Sequence, residues 1–333
     1  MKEIIINKND SGQRLDKFLA KTVPLLPKSL MYKFIRTKKI KVNRKRAEQS
    51  QMLCENDVIL LFISDEFFSE PEPEMSFTKI IPRIKIVYED DNLLLCDKHP
   101  GMSVIPDEHE TENTLINHIK SYLYRKGEYD PTLENSFAPA LCNRIDRNTG
   151  GIVIAAKNAA TLRDMNQKIK DHKIGKKYLC IVHGEMEKRE DILRAWMIKD
   201  SEKNKVRVFN VRPDSPDARN MITGYKVLDT YNNLSLLEVE LFTGRTHQIR
   251  AHMASIGHPL LGDGKYGINR DDKALGYKYQ ALYSYCTEID GVKHRINPAD
   301  VWFVTDLFSD RIEKINRMLK IYMLLNRFFR NPE

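Results

Sequence analysis

Residues 143–156 read NRIDRNTGGIVIAA, in which a short polar loop with two glycines runs directly into an apolar, strand-like segment. Polar loops held by a rigid strand often display functional side chains. Asp146 stands between Arg144 and Arg147, and an arginine that reached the carboxylate would lower its pKa and keep it ionised. An ionised carboxylate can act as a nucleophile or an electrostatic partner. The alternative is a structural Arg–Asp network that closes the turn.

A second polar block, TGRTHQIRAHM, occupies residues 243–253 and follows the strand-like run SLLEVELF. Its Arg, His, Thr and Gln side chains suit contacts with phosphates and base edges. The histidines also raise the question of a metal site. However, His247 and His252 lie about 140° apart on a helix and cannot share a face, and His258 follows a glycine with no cysteine nearby. The spacing therefore disfavours zinc.

A third block, GKKYLCIVHG, spans residues 175–184 and places Tyr178 at the start of a predicted strand. In isolation this tyrosine is best interpreted as a core residue. The chain has no G-x-x-x-x-G-K-[ST], no G-x-G-x-x-G and no G-x-S-x-G. The absence of these motifs argues against a nucleotide cofactor and against the commonest serine-hydrolase arrangement.

The segments around these blocks predict an α+β body. Strand-like runs cover 151–156, 178–183, 224–229 and 234–241, and helix-like segments cover 113–124 and 159–170. Residues 65–74 contain five acidic residues and two prolines, which predicts a linker. The tail 311–329 predicts an amphipathic helix, with Ile315, Leu319, Tyr322, Leu325 and Phe329 among its apolar positions. The predicted boundaries are a front domain at 1–63, a linker at 64–82, a catalytic domain at 83–305 and a C-terminal helix at 306–333.

The positive charge is concentrated at the front of the chain. Lys plus Arg number 54 against 46 acidic residues, a net charge of +8, and residues 1–60 alone hold 14 against 6, also +8. Two short helices, at 11–21 with Ser11 as a possible cap and at 29–37, precede a strand at 40–42. A basic module on a neutral body predicts binding to a polyanion, most simply nucleic acid. A solvated surface is the alternative.

Length and composition limit the remaining classes. A chain of 333 residues suggests about two domains. No apolar run approaches the roughly 18 residues needed to cross a bilayer, and the N-terminus does not resemble a secretory signal. The five isolated cysteines argue against a disulfide framework and for a reducing compartment. We therefore expect a cytoplasmic protein without membrane contact, and a monomer because nothing resembles a coiled-coil seam.

The motifs resemble those of the RluA family of pseudouridine synthases. RIDRNTGG is similar to that family's R-L-D-R-x-T-S-G, and residues 244–263, GRTHQIRAHMASIGHPLLGD, are similar to its G-R-T-H-Q-I-R-x-H block with the trailing G-H-P and G-D. Tyr178 falls at its K-x-Y motif, and residues 98–101, KHPG, resemble its K-P-x-G turn with the proline shifted by one. Residues 14–62 resemble the S4 RNA-binding domain. Arg44 stands where S4 domains often have glycine, and the tail beyond about residue 300 matches no motif.

The resemblance implies a mixed, largely antiparallel catalytic sheet behind a small S4-like α/β domain. It implies that Asp146 is the catalytic aspartate, that Arg245 pairs with it, and that Tyr178 stacks on the uracil and assists proton removal from C5. The reaction needs no cofactor or metal. The residues expected to bind RNA lie beside the aspartate, in the second block and in the front domain: Arg144, Arg147, His247, Arg250, Lys33, Arg36, Lys38, Lys39, Lys41, Arg44 and Arg46.

The expected partner is 23S ribosomal RNA, because members with an appended S4 domain typically modify large-subunit RNA. A transfer RNA is the second possibility for the substrate. Two other classes remain open from the sequence: a non-catalytic RNA-binding factor for ribosome assembly, and a metal-dependent hydrolase. An isomerised product would exclude the first, and activity in the presence of a chelator would exclude the second.

Overall fold

The computed structural model describes residues 1–68, 75–200, 202–267 and 269–325, with the backbone alone for residue 269 and for 321–325. Its strands are β1 (Lys2–Ile5), β2 (Ile40–Val42), β3 (Lys45–Arg46), β4 (Val58–Leu61), β5 (Lys85–Glu89), β6 (Leu93–Lys98), β7 (Ala140–Leu141), β8 (Gly150–Ala156), β9 (Gly175–His183), β10 (Glu190–Asp200), β11 (Lys205–Phe209), β12 (Arg219–Tyr231), β13 (Leu234–Leu241), β14 (Leu282–Ile289) and β15 (Val292–Arg295). Its helices are α1 (Leu15–Thr22), α2 (Lys28–Arg36), α3 (Leu115–Arg125), α4 (Ala159–Lys170), α5 (Gln248–Ser255), α6 (Asn269–Ala274), α7 (Trp302–Phe308) and α8 (Ile312–Leu325).

The front of the chain forms a small sheet, in the order β1-β4-β2-β3, covered by α1 and α2. Leu15, Phe18 and Leu19, the i, i+3, i+4 positions of α1, are fully buried in this core. Helix α1 begins at Leu15, and no side chain caps it. The predicted cap by Ser11 is therefore wrong, because the helix starts four residues later.

The body of the molecule is one large sheet in the order β11-β10-β12-β13-β9-β14-β8-β6-β5, with β15 beside β14 and β7 beside β8. The neighbours pair antiparallel except for β14 and β8, which run parallel. The prediction of an α+β fold with a mixed, largely antiparallel sheet is confirmed. Every residue of β8 is buried, as expected for a strand inside a sheet that is covered on both faces.

Alternate residues of the central strands enter two different cores. Tyr178, Cys180 and Val182 of β9 pack on one face with α3 and α5, whereas Leu179 and Ile181 pack on the other with α4, α7 and α8. Ile145, which precedes Asp146, and Ile249, which precedes Arg250, also belong to the first core. Helix α8 docks on the second face through Ile315 and Leu319; the side chains of Tyr322 and Leu325, and the whole of Phe329, lie outside the described residues.

The glycine at the start of β8 is required by the close approach of β14. Gly151 has φ +108°, and a Cβ placed on it would lie 2.2 Å from the carbonyl oxygen of Ser284. A side chain at this position would push apart the only parallel strand pair among the described residues. The glycine therefore fixes where the loop containing Asp146 enters the sheet.

Polar contacts join the front domain to the body. Asn7 and Asn9 donate to the Glu134 carboxylate at 3.2 and 2.6 Å, and Asn135 and Ser136 donate to Asp10 at 2.7 and 2.6 Å. Both described ends of the predicted linker, 64–82, are packed: Phe67 packs against the core of the front domain, and Phe77 is 2% exposed and belongs to the core of the body. The middle of its acidic run, residues 69–74, lies outside the described residues.

A tight turn between β2 and β3 places two non-glycine residues in the left-handed region. Asn43 has φ +50° and Arg44 has φ +62°. Such a turn favours glycine, because the left-handed conformation costs about 1–2 kcal/mol for a residue with a Cβ. Arg44 is nevertheless exposed at the tip of a basic segment. Arginine at position 44 therefore lowers the local stability of the turn but adds a positive charge at its exposed tip.

We expect Arg44→Gly to stabilise the front domain by roughly 0.5 kcal/mol while weakening RNA binding. The gain from removing the backbone strain outweighs the cost of the greater conformational freedom that glycine gives the unfolded chain. The loss of one phosphate contact should lower the slope of log affinity against log salt by about 0.7–0.9. Urea denaturation and RNA titrations over a range of salt measure the two effects. Lys45→Gly, which removes the same charge from a strand residue, should destabilise instead; equal stabilities would contradict the strain argument.

Candidate active site

Asp146 lies in the loop between β7 and β8, at the edge of an open cleft of about 470 Å³. The cleft is lined by Asp146, Arg147, Asn148, Asn204, His247, Arg250, Gly262, Gly264, Lys265, Lys273, Lys278 and Gln280. The Asp146 side chain is 29% exposed, so its carboxylate is accessible from the cleft. Among the described residues that line the cleft, Asp146 carries the only carboxylate.

Arg250, in the first turn of α5, is the arginine that contacts this carboxylate. Its Nη1 donates to Oδ2 of Asp146 at 2.7 Å. On its other edge, Nε and Nη2 donate to the two oxygens of Asp263 at 2.7 and 2.8 Å. Asp263 is fully buried, and although burial opposes it, Arg250 holds the pKa of this carboxyl below its ordinary value. The bidentate pair fixes the guanidinium in the plane that presents its remaining edge to Asp146.

The predicted pairing of Arg245 with Asp146 is wrong. Arg245 lies three residues before α5, and its guanidinium donates to the backbone oxygen and side-chain amide of Asn220 at 3.2 and 3.3 Å. The backbone N–H of Arg245 is held by Gln248. Because Arg250 is within the helix and Arg245 before it, only Arg250 faces the cleft carboxylate. Arg250, predicted as an RNA contact, therefore occupies the place expected for Arg245.

Most polar side chains of the 243–253 block form hydrogen bonds inside the protein. Gln248 is 2% exposed; its Oε1 accepts from Thr243, and its Nε2 donates to Thr223 and to the Ile222 carbonyl. The Thr223 hydroxyl, which accepts from Gln248, has its own proton left to donate to Nδ1 of His252 at 3.0 Å. These residues hold α5 against β12 instead of facing the cleft.

Because His252 is buried, we expect the free energy of unfolding to fall in mild acid. Burial lowers the pKa of His252 to about 4, and protonation of Nδ1 would remove the acceptor for Thr223. Between pH 6.5 and 4 the unfolded chain binds the extra proton and the folded chain does not, so stability falls as pH falls. We expect this residue to account for about 2–3 kcal/mol between pH 7 and pH 4.5.

Urea denaturation at the two pH values measures this loss. His252→Gln should show a shallower decline than the wild type, and His172→Gln, a change at an exposed position, should show the wild-type decline. A His252 variant with an unchanged pH dependence would contradict a neutral, buried imidazole.

His247 sits beside the carboxylate at the start of α5, in a left-handed conformation with φ +52°. Its Nδ1 is 2.9 Å from the hydroxyl of Tyr266, and its Nε2 is 3.9 Å from Oδ2 of Asp146. Tyr266 accepts from the Val206 N–H, so its own proton is available for Nδ1 of His247. This arrangement leaves the imidazole proton on Nε2, facing Asp146. Burial lowers the pKa of His247, despite the nearby carboxylate.

The two arginines that flank Asp146 in sequence do not contact it in the structure. Nη2 of Arg147 donates to both oxygens of Asp107 at 2.8 and 2.9 Å, and its Nε donates to Ser103 at 2.9 Å. The pKa of Asp107 is lowered by the backbone N–H of His109 and by the Arg147 guanidinium, and further by the Ser103 hydroxyl and the Glu110 N–H, which also donate to this carboxylate. Arg144 is exposed, and no ion pair is found for it within the described part of the chain.

Tyr178 lies in the core of the body, is 6% exposed, and is not among the described residues that line the cleft. Burial raises the pKa of Tyr178 to about 12, and the negative charge of Asp146 adds to the shift. The phenol is therefore protonated at neutral pH. A protonated phenol is a poor base, so this state of the residue suits a contact surface better than a proton acceptor.

Lys98 fastens the loop that carries Asp146. It is 1% exposed, and its Nζ donates to the carbonyl oxygens of His99, Met102 and Arg147 at 2.9, 2.9 and 2.8 Å. Burial lowers the pKa of Lys98 to about 7, yet the three acceptors match the three protons of an ammonium group. Because Arg147 directly follows Asp146, this lysine holds the loop that contains Asp146 against the KHPG turn.

The front-domain cations predicted to bind RNA lie at the surface. The exposed ones are Lys33, Arg36, Lys38, Lys39, Arg44 and Arg46, and Lys41 is half-buried. The ammonium groups of Lys39 and Lys41 lie 5.2 and 5.4 Å from the rings of Phe34 and Phe62. Cations over exposed aromatic rings leave both charge and apolar surface available to a nucleic acid.

The sequence reasoning missed Asp263 and Tyr266 as parts of the site. The sequence offered one signal for Asp263: it follows Gly262 at the end of the second block, and a turn there can bring the aspartate back to Arg250 of the same block. Tyr266 carries no local signal, because its contacts are with His247 and Val206, which are far apart in the chain. Over the described residues, no cluster of three His, Cys, Asp or Glu side chains is suited to a metal, and no helix is long and apolar enough to span a bilayer.

Comparison with known proteins decides the family. The family model described as RNA pseudouridylate synthase matches residues 92–255, and the S4 domain model matches residues 13–59. An RNA pseudouridine synthase of Aquifex aeolicus is 33% identical over 259 residues, which cover 77% of each chain. This chain belongs to the RNA pseudouridine synthase family. It is accordingly an isomerase that acts on RNA, and its resemblance to the RluA type is confirmed.

Other relatives agree with this assignment. The ribosomal large subunit pseudouridine synthase C of Buchnera aphidicola is 32% identical over 280 residues, covering 82% of this chain and 83% of the relative. The solved structure of human RNA pseudouridylate synthase domain containing 1 superposes with a TM-score of 0.52 at 19% identity, covering 64% of this chain and 82% of that one. The structural likeness shows that the fold of the body is that of the pseudouridine synthase family.

Proposed function

We propose that this pseudouridine synthase modifies uridine in 23S ribosomal RNA, with Asp146 as the nucleophile. One observation carries the role of Asp146: it is the single carboxylate among the described cleft residues, and Arg250 holds it by a 2.7 Å hydrogen bond. The guanidinium orients the carboxylate, and an ionised carboxylate is a competent nucleophile.

The reaction balances without a cofactor. The N1–C1′ bond of the uridine breaks, the uracil rotates, and a C5–C1′ bond forms. N1 gains a proton, and C5 releases one to solvent. Asp146 bonds transiently to the nucleoside, at the sugar or the base, and is regenerated at the end. The target base has to leave its stack before this chemistry can begin, which costs a few kcal/mol.

The neighbouring residues have distinct proposed roles. Arg250 orients the carboxylate and balances its charge, supported from behind by Asp263. Tyr178, which is close enough to Asp146 for that charge to affect its pKa, is assigned a contact with the uracil, and its protonated phenol makes it a contact and not a base. His247 presents Nε2–H towards Asp146 and the substrate. Arg144, which is exposed, contacts the phosphate backbone.

Two observations support ribosomal RNA as the substrate. Several relatives that match more than three quarters of this chain are named ribosomal large subunit pseudouridine synthase C. The front domain matches the S4 family and exposes a dense basic segment, which supplies affinity for phosphates independent of sequence. Transfer RNA has no comparable support.

The test uses unmodified large-subunit rRNA and tRNA transcribed with tritium at C5 of uridine. Each RNA is incubated with the full-length protein in EDTA, and tritium released to water is measured. We expect release from the rRNA and little from the tRNA. Release from tRNA alone would overturn the substrate assignment, and release abolished by EDTA would overturn the metal-free mechanism. Tight RNA binding with no release from either RNA would favour a binding factor without activity.

A further inference from the structure

The cleft contains three lysines whose charges are not neutralised by a carboxylate. Arg147 and Arg250 are bonded to Asp107, Asp146 and Asp263. By contrast, Lys265, Lys273 and Lys278 also line the cleft, and within the described ranges no ion pair is found for any of them. The Nζ of Lys265 donates to a neutral group, the carbonyl oxygen of Asn204, at 2.8 Å.

The charges around the cleft affect the pKa of Lys265. Burial lowers the pKa of Lys265 and the repulsion of the Arg250 guanidinium lowers it further, although the Asp146 and Asp263 carboxylates oppose this shift. Several lysines that face one cavity, with no ion pair found for them among the described residues, indicate that the cavity normally receives an anion. The anion has to reach Asp146 as well, because the same cleft contains both.

Lys273 and Lys278 are carried by a segment that is anchored on both sides. Asp272 is 2% exposed, accepts from the Gly262 N–H at 2.7 Å and lies 3.0 Å from Nε2 of His183. Further along, the buried Gln280 donates to the Thr149 hydroxyl at 3.1 Å, in the same loop as Asp146.

Because Asp272 precedes Lys273 directly and Gln280 follows Lys278 by two residues, both lysines project from a fixed backbone. Their side chains are exposed, and therefore accessible to a ligand. Lys273 and Lys278 differ from lysines scattered on a solvated surface in two respects. Their backbone is held in place, and both line the same cleft as Asp146 with no ion pair found among the described residues.

We propose that Lys273 and Lys278 bind the backbone phosphates next to the uridine that enters the cleft. This inference rests on the proposed function. A base can reach Asp146 only if its sugar and flanking phosphates follow it to the cleft mouth, and an ammonium group is a suitable point-charge partner for a phosphate. These contacts help to offset the unstacking of the base. They position the nucleotide without reading its sequence.

The test compares the wild type with Lys273→Gln/Lys278→Gln in the full-length protein. RNA affinity is measured over a range of KCl, and tritium release gives kcat and KM. We expect Kd and KM to rise about tenfold. The slope of log affinity against log salt should fall by about 1.4, since each contact with a single strand contributes about 0.7. The kcat should stay near the wild-type value, because the contact is made equally before and during the reaction.

The matched control is Lys170→Gln/Lys173→Gln, which removes the same charge at exposed positions on and just after α4 that do not line the cleft. Its Kd, KM and salt slope should be those of the wild type. An unchanged salt slope in the cleft variant, or an equal change in the control, would overturn the inference. If the wild type released no tritium while the cleft variant still lost its salt slope, the proposed reaction would fail and the phosphate site would stand.

Discussion

Asp146→Asn should reduce tritium release from C5 of uridine by at least about a thousandfold, because an amide cannot replace the carboxylate as a nucleophile. The substitution preserves size, and Arg250 keeps both hydrogen bonds to Asp263. The buried guanidinium therefore remains paired, and we expect the free energy of unfolding to change by less than about 1 kcal/mol. RNA affinity should also be retained.

Asp91→Asn is the matched control for this loss. Asp91 is an exposed residue in the turn between β5 and β6, and its substitution should leave tritium release, stability and RNA affinity unchanged. A large fall in the melting temperature of Asp146→Asn, with activity lost only in proportion to the folded fraction, would show instead that Asp146 belongs to a structural network. Residual turnover close to that of the wild type would exclude Asp146 as the nucleophile.

Arg250→Lys should lower kcat by roughly a hundredfold with little change in KM. Lysine keeps the charge but cannot donate in parallel to both oxygens of Asp263 while also reaching Asp146. A misplaced carboxylate loses the alignment on which attack depends, and a displacement of about 1 Å is enough for a loss of this size. Because buried hydrogen bonds to Asp263 are lost as well, we expect a destabilisation of about 2–3 kcal/mol. Rates are therefore compared at a temperature where both proteins are folded by circular dichroism.

Arg245→Lys is the control, and it also tests the role that the motif suggested for Arg245. Its side chain contacts only Asn220 among the described residues, so kcat should remain within about threefold of the wild type. If Arg245→Lys lowered kcat more than Arg250→Lys did, Arg245 would be the arginine that pairs with Asp146 in the reaction. A rise in KM with kcat unchanged in Arg250→Lys would point to RNA binding as its main contribution.

Local pattern determined much of the architecture. The i, i+3, i+4 spacing of Leu15, Phe18 and Leu19 specifies α1, because three apolar side chains on one face have to be buried together. The apolar run after Gly151 specifies a buried strand for the same reason. The start of α1 could not be read from Ser11, since a cap depends on where the backbone leaves the turn and not on residue type alone.

The sequence by itself determined the family, the basic front domain and the identity of Asp146 as the candidate nucleophile. These depend on residue types at fixed spacings, which the chain displays directly. Only the tertiary structure decided which arginine contacts Asp146. Arg245 and Arg250 belong to one motif and differ by five residues, so their orientations depend on where α5 begins and on Asp263, 13 residues beyond Arg250.

The tertiary structure also decided which cations remain unpaired. Arg147 is next to Asp146 in the chain, but it is neutralised by Asp107, about forty residues away. Lys273 and Lys278 are far from Asp146 in sequence, yet the bonds of Asp272 and Gln280 bring them to its cleft. Ion pairing depends on distances between side chains from different elements. A linear pattern supplies the charges, and the packing of the sheet and helices determines their partners.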